Sequence, residues 1–364
     1  MNSPNPFRLK TETVIAFLLL GFIYPITVCG QNSEIQFFDT IEYTISDNLG
    51  LFESDDLLEI SLTFDITYLK KEKPKDEYLD ALITIYLSPT DSLTKAIRVR
   101  SRGNMRNKIC PLPPIRLNFA SKDYEGNNIV KNLKLVTHCK SGREFEEQLL
   151  TEYLAYKLYN VVTDMSFRTR LLRIKYIDTG SKEINETHYG FIIEPVDMLE
   201  ERMSTLEIED VVVRRNFVAP YYLDRFALFQ YMIGNTDWDL INLHNIKAFR
   251  YNDTSSPGIC IVPYDFDYSG LIDAYYAVPN PNYYVEKITD RIYMGPCREE
   301  DELRLILDEF LGKRDQFMAV LESFEYMSER GKRAPIKYIE SFFNLYNRDI
   351  LYYQIKSECG PDER

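Results

Sequence analysis

The residue types best suited to chemistry gather in Gly234-Asn235-Thr236-Asp237-Trp238-Asp239-Leu240-Ile241-Asn242-Leu243-His244-Asn245, and Asp265-Phe266-Asp267 follows downstream. Two apolar runs, residues 245–250 and 259–264, separate the groups and read as a hairpin. Antiparallel pairing of its strands returns Asp265 to the neighbourhood of Asn245. An aspartate and an asparagine held together, with a further carboxylate beside them, supply the hard oxygen ligands that Mg²⁺ (or Mn²⁺) prefers. Another carboxylate can then orient an attacking hydroxyl. Taken singly, Asp, Asn and Gly between a helix and a strand are ordinary loop formers, so the signal lies in their convergence.

The elements that must position these groups change character along the chain. Residues 57–119 alternate with period two and read as a mostly antiparallel sheet, with Pro111, Pro113 and Pro114 marking an edge strand or a strand start at 115–119. Residues 133–136 continue the pattern. Phe145, Leu149, Leu150, Tyr153, Leu154, Lys157 and Leu158 then mark one apolar face of a long helix ending near Asn160, with Ser141 and Glu144 at capping-box spacing. Strands return at 171–177 and 189–193. From Val196 onward helices dominate, at 221–233, 300–324 and 336–353. The expected division is a leader at 1–30, a sheet-rich part at 31–195 and a helical part at 196–364. Arg98, Arg100, Arg102 and Arg106 read as a solvated strand face and turn.

Protein kinases place a catalytic-loop aspartate, a downstream asparagine and a metal-binding aspartate after a hairpin in this order. The chain resembles the CotH kinase family, the spore-coat-protein-H-like atypical kinases, in an exported Bacteroidetes-type version, and more distantly the HipA-like kinases with their G-N-x-D loop. The resemblance spans residues 97–270. It rests on the loop and D-F-D, on Arg100-Ser101-Arg102-Gly103-Asn104, on Tyr153-Leu154-Ala155-Tyr156 and on Tyr189-Gly190-Phe191-Ile192-Ile193-Glu194-Pro195-Val196-Asp197.

The resemblance implies an α+β, two-lobed protein-kinase-like fold, with an antiparallel-sheet N-lobe carrying one long helix and a mainly helical C-lobe. It implies Asp237 as the catalytic aspartate, with Asp239 able to share the role. Asp265 and Asn245 would be the metal ligands, with Asn242 as the alternative asparagine and Asp267 as a further carboxylate. Arg116 or Lys134 would be the nucleotide-binding base, paired with Glu146 or Glu147, and Glu194 would stand at the hinge. The implied activity is an exported phosphotransferase that uses Mg²⁺ with ATP or another nucleotide, on an unknown protein or small-molecule acceptor. The competing reading is a catalytically inactive binding or structural protein on the same scaffold. Arg116 favours it, standing where the family generally carries lysine, because the two cations bind phosphate differently.

Composition narrows the class. The 364 residues carry a formal charge of −13, which opposes binding modes that neutralise phosphates over a broad surface, so nucleic acid is an unexpected partner. Arg8 and Lys10, the apolar run 14–26 and Val28-Cys29-Gly30 form the three-part pattern of a signal peptide cut before Gln31, implying a periplasmic or secreted protein with no membrane span after cleavage. Five cysteines then remain, and no C-x-x-C or histidine spacing supports a zinc site. Cys110 and Cys139, beside neighbouring strands, are expected to form a disulfide, and Cys260 to be a buried thiol.

Overall fold

The alternation in residues 57–119 folds into four strands: β1 (Leu58–Phe64), β2 (Leu79–Ser88), β3 (Asp91–Ser101) and β4 (Ile115–Asn118). Helix α1 (Ile66–Glu72) lies between β1 and β2, and the single turn α2 (Met105–Ile109) between β3 and β4. Strands β5 (Asn132–Thr137), β6 (Thr169–Asp178) and β7 (Asn185–Ile193) complete the set. The computed structural model describes residues 50–119, 132–180, 185–253, 258–283, 285–346 and 350–360. The expected leader at 1–30 lies outside them.

The seven strands form a closed barrel in the order β1-β2-β3-β4-β5-β7-β6. Closure comes from β1, which pairs antiparallel with β2 on one side and parallel with β6 on the other, setting Ile60 opposite both Ile85 and Ile174. The two-lobed kinase-like arrangement with an antiparallel-sheet N-lobe is therefore corrected to a closed mixed barrel followed by helices. An open sheet leaves two edges of unpaired backbone groups, and the parallel seam removes both. Ile60, Leu62, Ile83, Val99, Leu117, Leu135 and Ile174 fill the interior as one apolar cluster. Strand β4 is paired on both sides, so its prolines mark a strand start and not an edge.

Helix α3 (Arg143–Val162) is twenty residues long and starts at Gly142 with no side-chain cap, so the Ser141–Glu144 capping box is not formed. Its stretch from Leu149 to Tyr156 is buried on every side, Thr151 and Glu152 included, because it lies between the barrel and the later helices. A second apolar cluster surrounds it, joining Leu154 and Tyr156 to Phe229, Phe266 and Phe310.

After β7, α4 (Val196–Met203) begins behind Pro195. Strand β8 (Thr205–Glu207) joins β9 (Ile246–Tyr251) and β10 (Cys260–Pro263) in a small sheet ordered β10-β9-β8. Helix α5 (Pro220–Ile233) starts with a proline, whose missing N–H costs nothing at that position. The expected helix over 300–324 is two, α6 (Glu300–Gly312) and α7 (Arg314–Glu322), broken at Lys313. The helix expected over 336–353 is helical wherever it is described, as α8 (Glu329–Tyr346) and α9 (Ile350–Glu358). No helix among the described residues is long and apolar enough to cross a membrane.

Cys110 and Cys139 are bridged, as are Cys297 and Cys359, and Cys260 is a buried free thiol. Two bridges are the chemistry of an oxidising compartment. The first ties the end of α2 to the segment before α3 across 29 residues. Replacing both of its cysteines by serine is expected to lower stability by about 3.6 kcal/mol, the chain-entropy value for such a loop. Thermal denaturation against the parent chain checks this.

Candidate active site between the barrel and the helices

Helix α5 ends in a left-handed turn at Gly234, where an added Cβ would lie 2.1 Å from the Tyr338 hydroxyl, so only glycine fits. The chain then runs into the acidic loop. The Asn235 side chain donates to Gln230 and accepts from the Asp237 backbone N–H at 3.0 Å, which fixes the first bend. Asp239 and His244 exchange backbone hydrogen bonds and close the loop between them. The Asp239 carboxylate accepts from the backbone and side chain of Asn242. These two candidates therefore hold the turn, and neither lines the cavity described below.

Asn245 stands at the loop's exit with φ 56°. Its side-chain Nδ2 donates to the Asp237 carbonyl at 2.8 Å and to Asp237 Oδ2 at 3.0 Å. That orientation leaves its amide oxygen without a donor among the described residues. The hairpin pairs Ile246 with Pro263, and the Tyr264 N–H donates to the Asn245 carbonyl at 3.0 Å, which brings Asp265 back beside the loop. Asp265 has φ 63°, and its N–H donates to the Tyr156 hydroxyl of α3 at 2.9 Å. Its carboxylate accepts no hydrogen bond among the described residues. Asp267 is buried and accepts from the Tyr276 hydroxyl at 2.8 Å. Burial, with the Asp265 and Glu152 carboxylates near it, holds Asp267 well above the usual carboxylate range, against the pull of Arg106.

Asp237, Asn245, Asp265 and Asp267 line one cavity of about 430 Å³, with Arg102, Arg106, Arg116, Lys134, Glu152 and His244 on the same lining. Arg116 and Lys134 come from the outer face of the barrel, and Arg102 and Arg106 from the segment between β3 and β4. Arg100 stands opposite Arg116, and Arg116 opposite Lys134, in a row across β3, β4 and β5. Like charges directly opposite destabilise a sheet unless something neutralises them. Among the described residues, the side chains of Arg102, Arg116 and Lys134 make no ion pair, and Arg116 Nε is buried without a partner. Lys134 lies over the Tyr264 ring at 5.1 Å.

Burial, then Arg102, Lys247 and Arg116, push Lys134 down to about 8, with Asp265 opposing. That value lies below the unfolded one of about 10.4, so the unfolded chain binds more protons between these limits. Native stability attributable to Lys134 should therefore rise with pH through that window. Lys134→Met should remove the rise and stabilise the protein near neutrality by about 2–3 kcal/mol, the free energy of a shift that size. Denaturant melts of both proteins from pH 7 to pH 10 test this.

The carboxylate expected to serve that cation is engaged elsewhere. Glu146 accepts from the Tyr189 N–H and lies near His188, while Glu147 accepts from Arg143 and Ser328. Neither lines the cavity. Glu194 is held by Arg202 and accepts from the Arg168 N–H. Glu152 of α3 instead points to the site and pairs with Arg106 at 2.9 Å, both deeply buried. Arg106 also donates to the Thr137 carbonyl. Arg102 and Arg106 thus belong to the cavity wall and not to a solvated face. A single arginine after Arg102-Gly103-Asn104 carried a signal, since a turn through Gly103 folds the chain back at once. Glu152 carried another, as an acid within an otherwise apolar helical stretch.

Among the described residues no three or more His, Cys, Asp or Glu side chains gather round one ion position. The free Asp265 carboxylate and Asn245 amide oxygen suit Mg²⁺ that also keeps phosphate and water ligands, the usual way this ion is held. No protein-family model matches the chain. No curated protein matches it in sequence. Among solved structures it is similar to the Helicobacter pylori proinflammatory kinase CtkA, with 10% identity and a TM-score of 0.35 over 79% of this chain and 94% of that one. A likeness of that size identifies neither fold nor activity.

Proposed function

We propose that the chain is an exported phosphotransferase that binds a nucleoside triphosphate with Mg²⁺ in this cavity and passes the terminal phosphoryl group to an acceptor hydroxyl. One observation carries the reading: Arg102, Arg116 and Lys134, which make no ion pair among the described residues, share a cavity with the Asp265 carboxylate and the Asn245 amide oxygen, which accept no hydrogen bond among them. Such a site wants a ligand that is itself anionic and brings a cation, as a metal–triphosphate does. A neighbouring cavity of about 390 Å³ shares Arg116, Lys134 and Ile193 and adds Leu133, Pro195 and Val196, apolar surface for a base. The two disulfides support export.

In this reading the guanidinium groups and Lys134 hold phosphate oxygens, Asp265 and Asn245 hold the ion, and Asp237 serves the acceptor side. Bound Mg²⁺ supplies charge neutralisation on the phosphates. Asp237→Asn is expected to keep nucleotide affinity within about twofold yet lose transfer by on the order of 10²- to 10⁴-fold, the usual worth of positioned acid–base groups. Incubation with γ-labelled ATP and Mg²⁺, read as label on the protein or as released phosphate, checks this, and unchanged labelling would contradict it. A second reading, nucleotide binding without turnover, is favoured by Glu152 being taken up by Arg106, so that among the described residues no glutamate pairs with Lys134. Binding with neither labelling nor phosphate release identifies that case.

A further inference from the structure

The Asp237 carboxylate is committed on both oxygens. Oδ2 accepts from Asn245, and Oδ1 faces His244 Nε2 at 3.1 Å. An ionised carboxylate only accepts, so His244 carries its proton on Nε2 in this pair and Nδ1 keeps the lone pair. Nδ1 makes no hydrogen bond among the described residues, and His244 lies on the cavity lining with a side chain 55% exposed. The backbone exchange between Asp239 and His244 fixes the imidazole's attachment point. Asn245, the next residue, is the one whose amide reaches Asp237, so a single short segment sets ring, carboxylate and amide together.

We infer that His244 is the general base of the proposed transfer and that Asp237 is its positioning residue, an Asp–His dyad. The inference rests on the phosphotransferase reading and deepens it. The acceptor's O–H proton passes to His244 Nδ1. The oxygen's electron pair forms the new O–P bond, and the bond from the terminal phosphorus to its bridging oxygen breaks, its electrons leaving with the nucleoside diphosphate. The imidazolium, stabilised by Asp237, then returns its proton to water.

The test uses the full chain with γ-labelled ATP and Mg²⁺, measuring nucleotide affinity and turnover separately. His244→Ala should lower kcat by on the order of 10²- to 10⁴-fold with little change in KM for the nucleotide. Added imidazole should restore at least about tenfold, since the exposed site admits it. His244→Gln, which keeps a donor for Asp237 and guards against misfolding, should be equally slow. Asp237→Asn combined with His244→Ala should be no slower than either alone, as groups acting as a unit behave. Wild-type turnover in His244→Gln, or loss in His244→Ala that imidazole does not relieve, overturns the dyad while nucleotide binding and transfer by the parent keep the phosphotransferase reading. A parent that binds nucleotide without turnover overturns the base role. A parent that binds no nucleotide overturns both.

Discussion

Asp265→Asn is expected to abolish Mg²⁺-dependent nucleotide binding while leaving the fold intact. Asparagine tolerates the left-handed backbone that Asp265 adopts at φ 63°, so the substitution removes charge with little strain. The backbone N–H that donates to Tyr156 is untouched. Only the carboxylate changes, and it is the proposed metal ligand, engaged by no neighbour among the described residues. Groups that merely support a metal ligand are worth about 10- to 100-fold in affinity, so loss of the ligand itself should cost on the order of 100-fold or more. The unliganded protein should change little in stability, because Asp265 repels Asp267 and Glu152 while attracting Arg106, Arg102 and Lys134. Calorimetric titration with Mg²⁺ and a non-hydrolysable ATP analogue, together with a thermal melt, separates the two effects. Equal affinity in parent and variant would remove Asp265 from the site.

Arg106→Leu should produce the largest loss of stability. The guanidinium is buried between Glu152 and the Thr137 carbonyl, and Asp265 and Asp267 act on it as well. Those carboxylates hold it more firmly protonated than an ordinary arginine, although burial opposes this. Removing one partner of a buried pair leaves the other uncompensated, at a cost of about 3–5 kcal/mol. Here the damage should include protonation of Glu152, whose carboxyl burial already raises against the pull of Arg106. Glu152→Gln alone should be milder, since the amide still accepts from Arg106. Urea denaturation of the three proteins checks the order, and an Arg106→Leu midpoint equal to the parent's would contradict it.

How far the sequence revealed this arrangement depended on whether the information was local. The hairpin was legible because two short apolar runs between Asn245 and Asp265 leave few ways to pair, and the structure sets Lys247 opposite Val262 within it. That Asn245, and not Asn242, stands beside Asp237 at the loop's exit was legible for the same reason, since a strand follows directly after Asn245. Barrel closure was not. Alternation in β1 shows which side chains face inward but not which strand lies alongside, and Leu58 meets Leu172 across a long stretch of chain. The Arg106–Glu152 pair left only faint signals, because charged side chains in a turn and on a helix ordinarily face water. Its burial follows from α3 being covered on all sides, a tertiary fact that amphipathic spacing does not carry. His244 was hidden similarly: three scattered histidines say nothing until a folded loop sets one against Asp237.

The most direct test is the melting temperature of the purified chain with Mg²⁺ alone, with ATP alone and with both. A ligand that binds only the native state must raise the midpoint, by the equivalent of about 2.7 kcal/mol at one hundred times its Kd. The Asp265 carboxylate and the cations of this cavity, without ion-pair partners among the described residues, predict a clear rise with the two together and little with either alone. An unchanged midpoint under all three conditions, at millimolar nucleotide, would contradict the central claim that this cavity holds a metal–nucleotide.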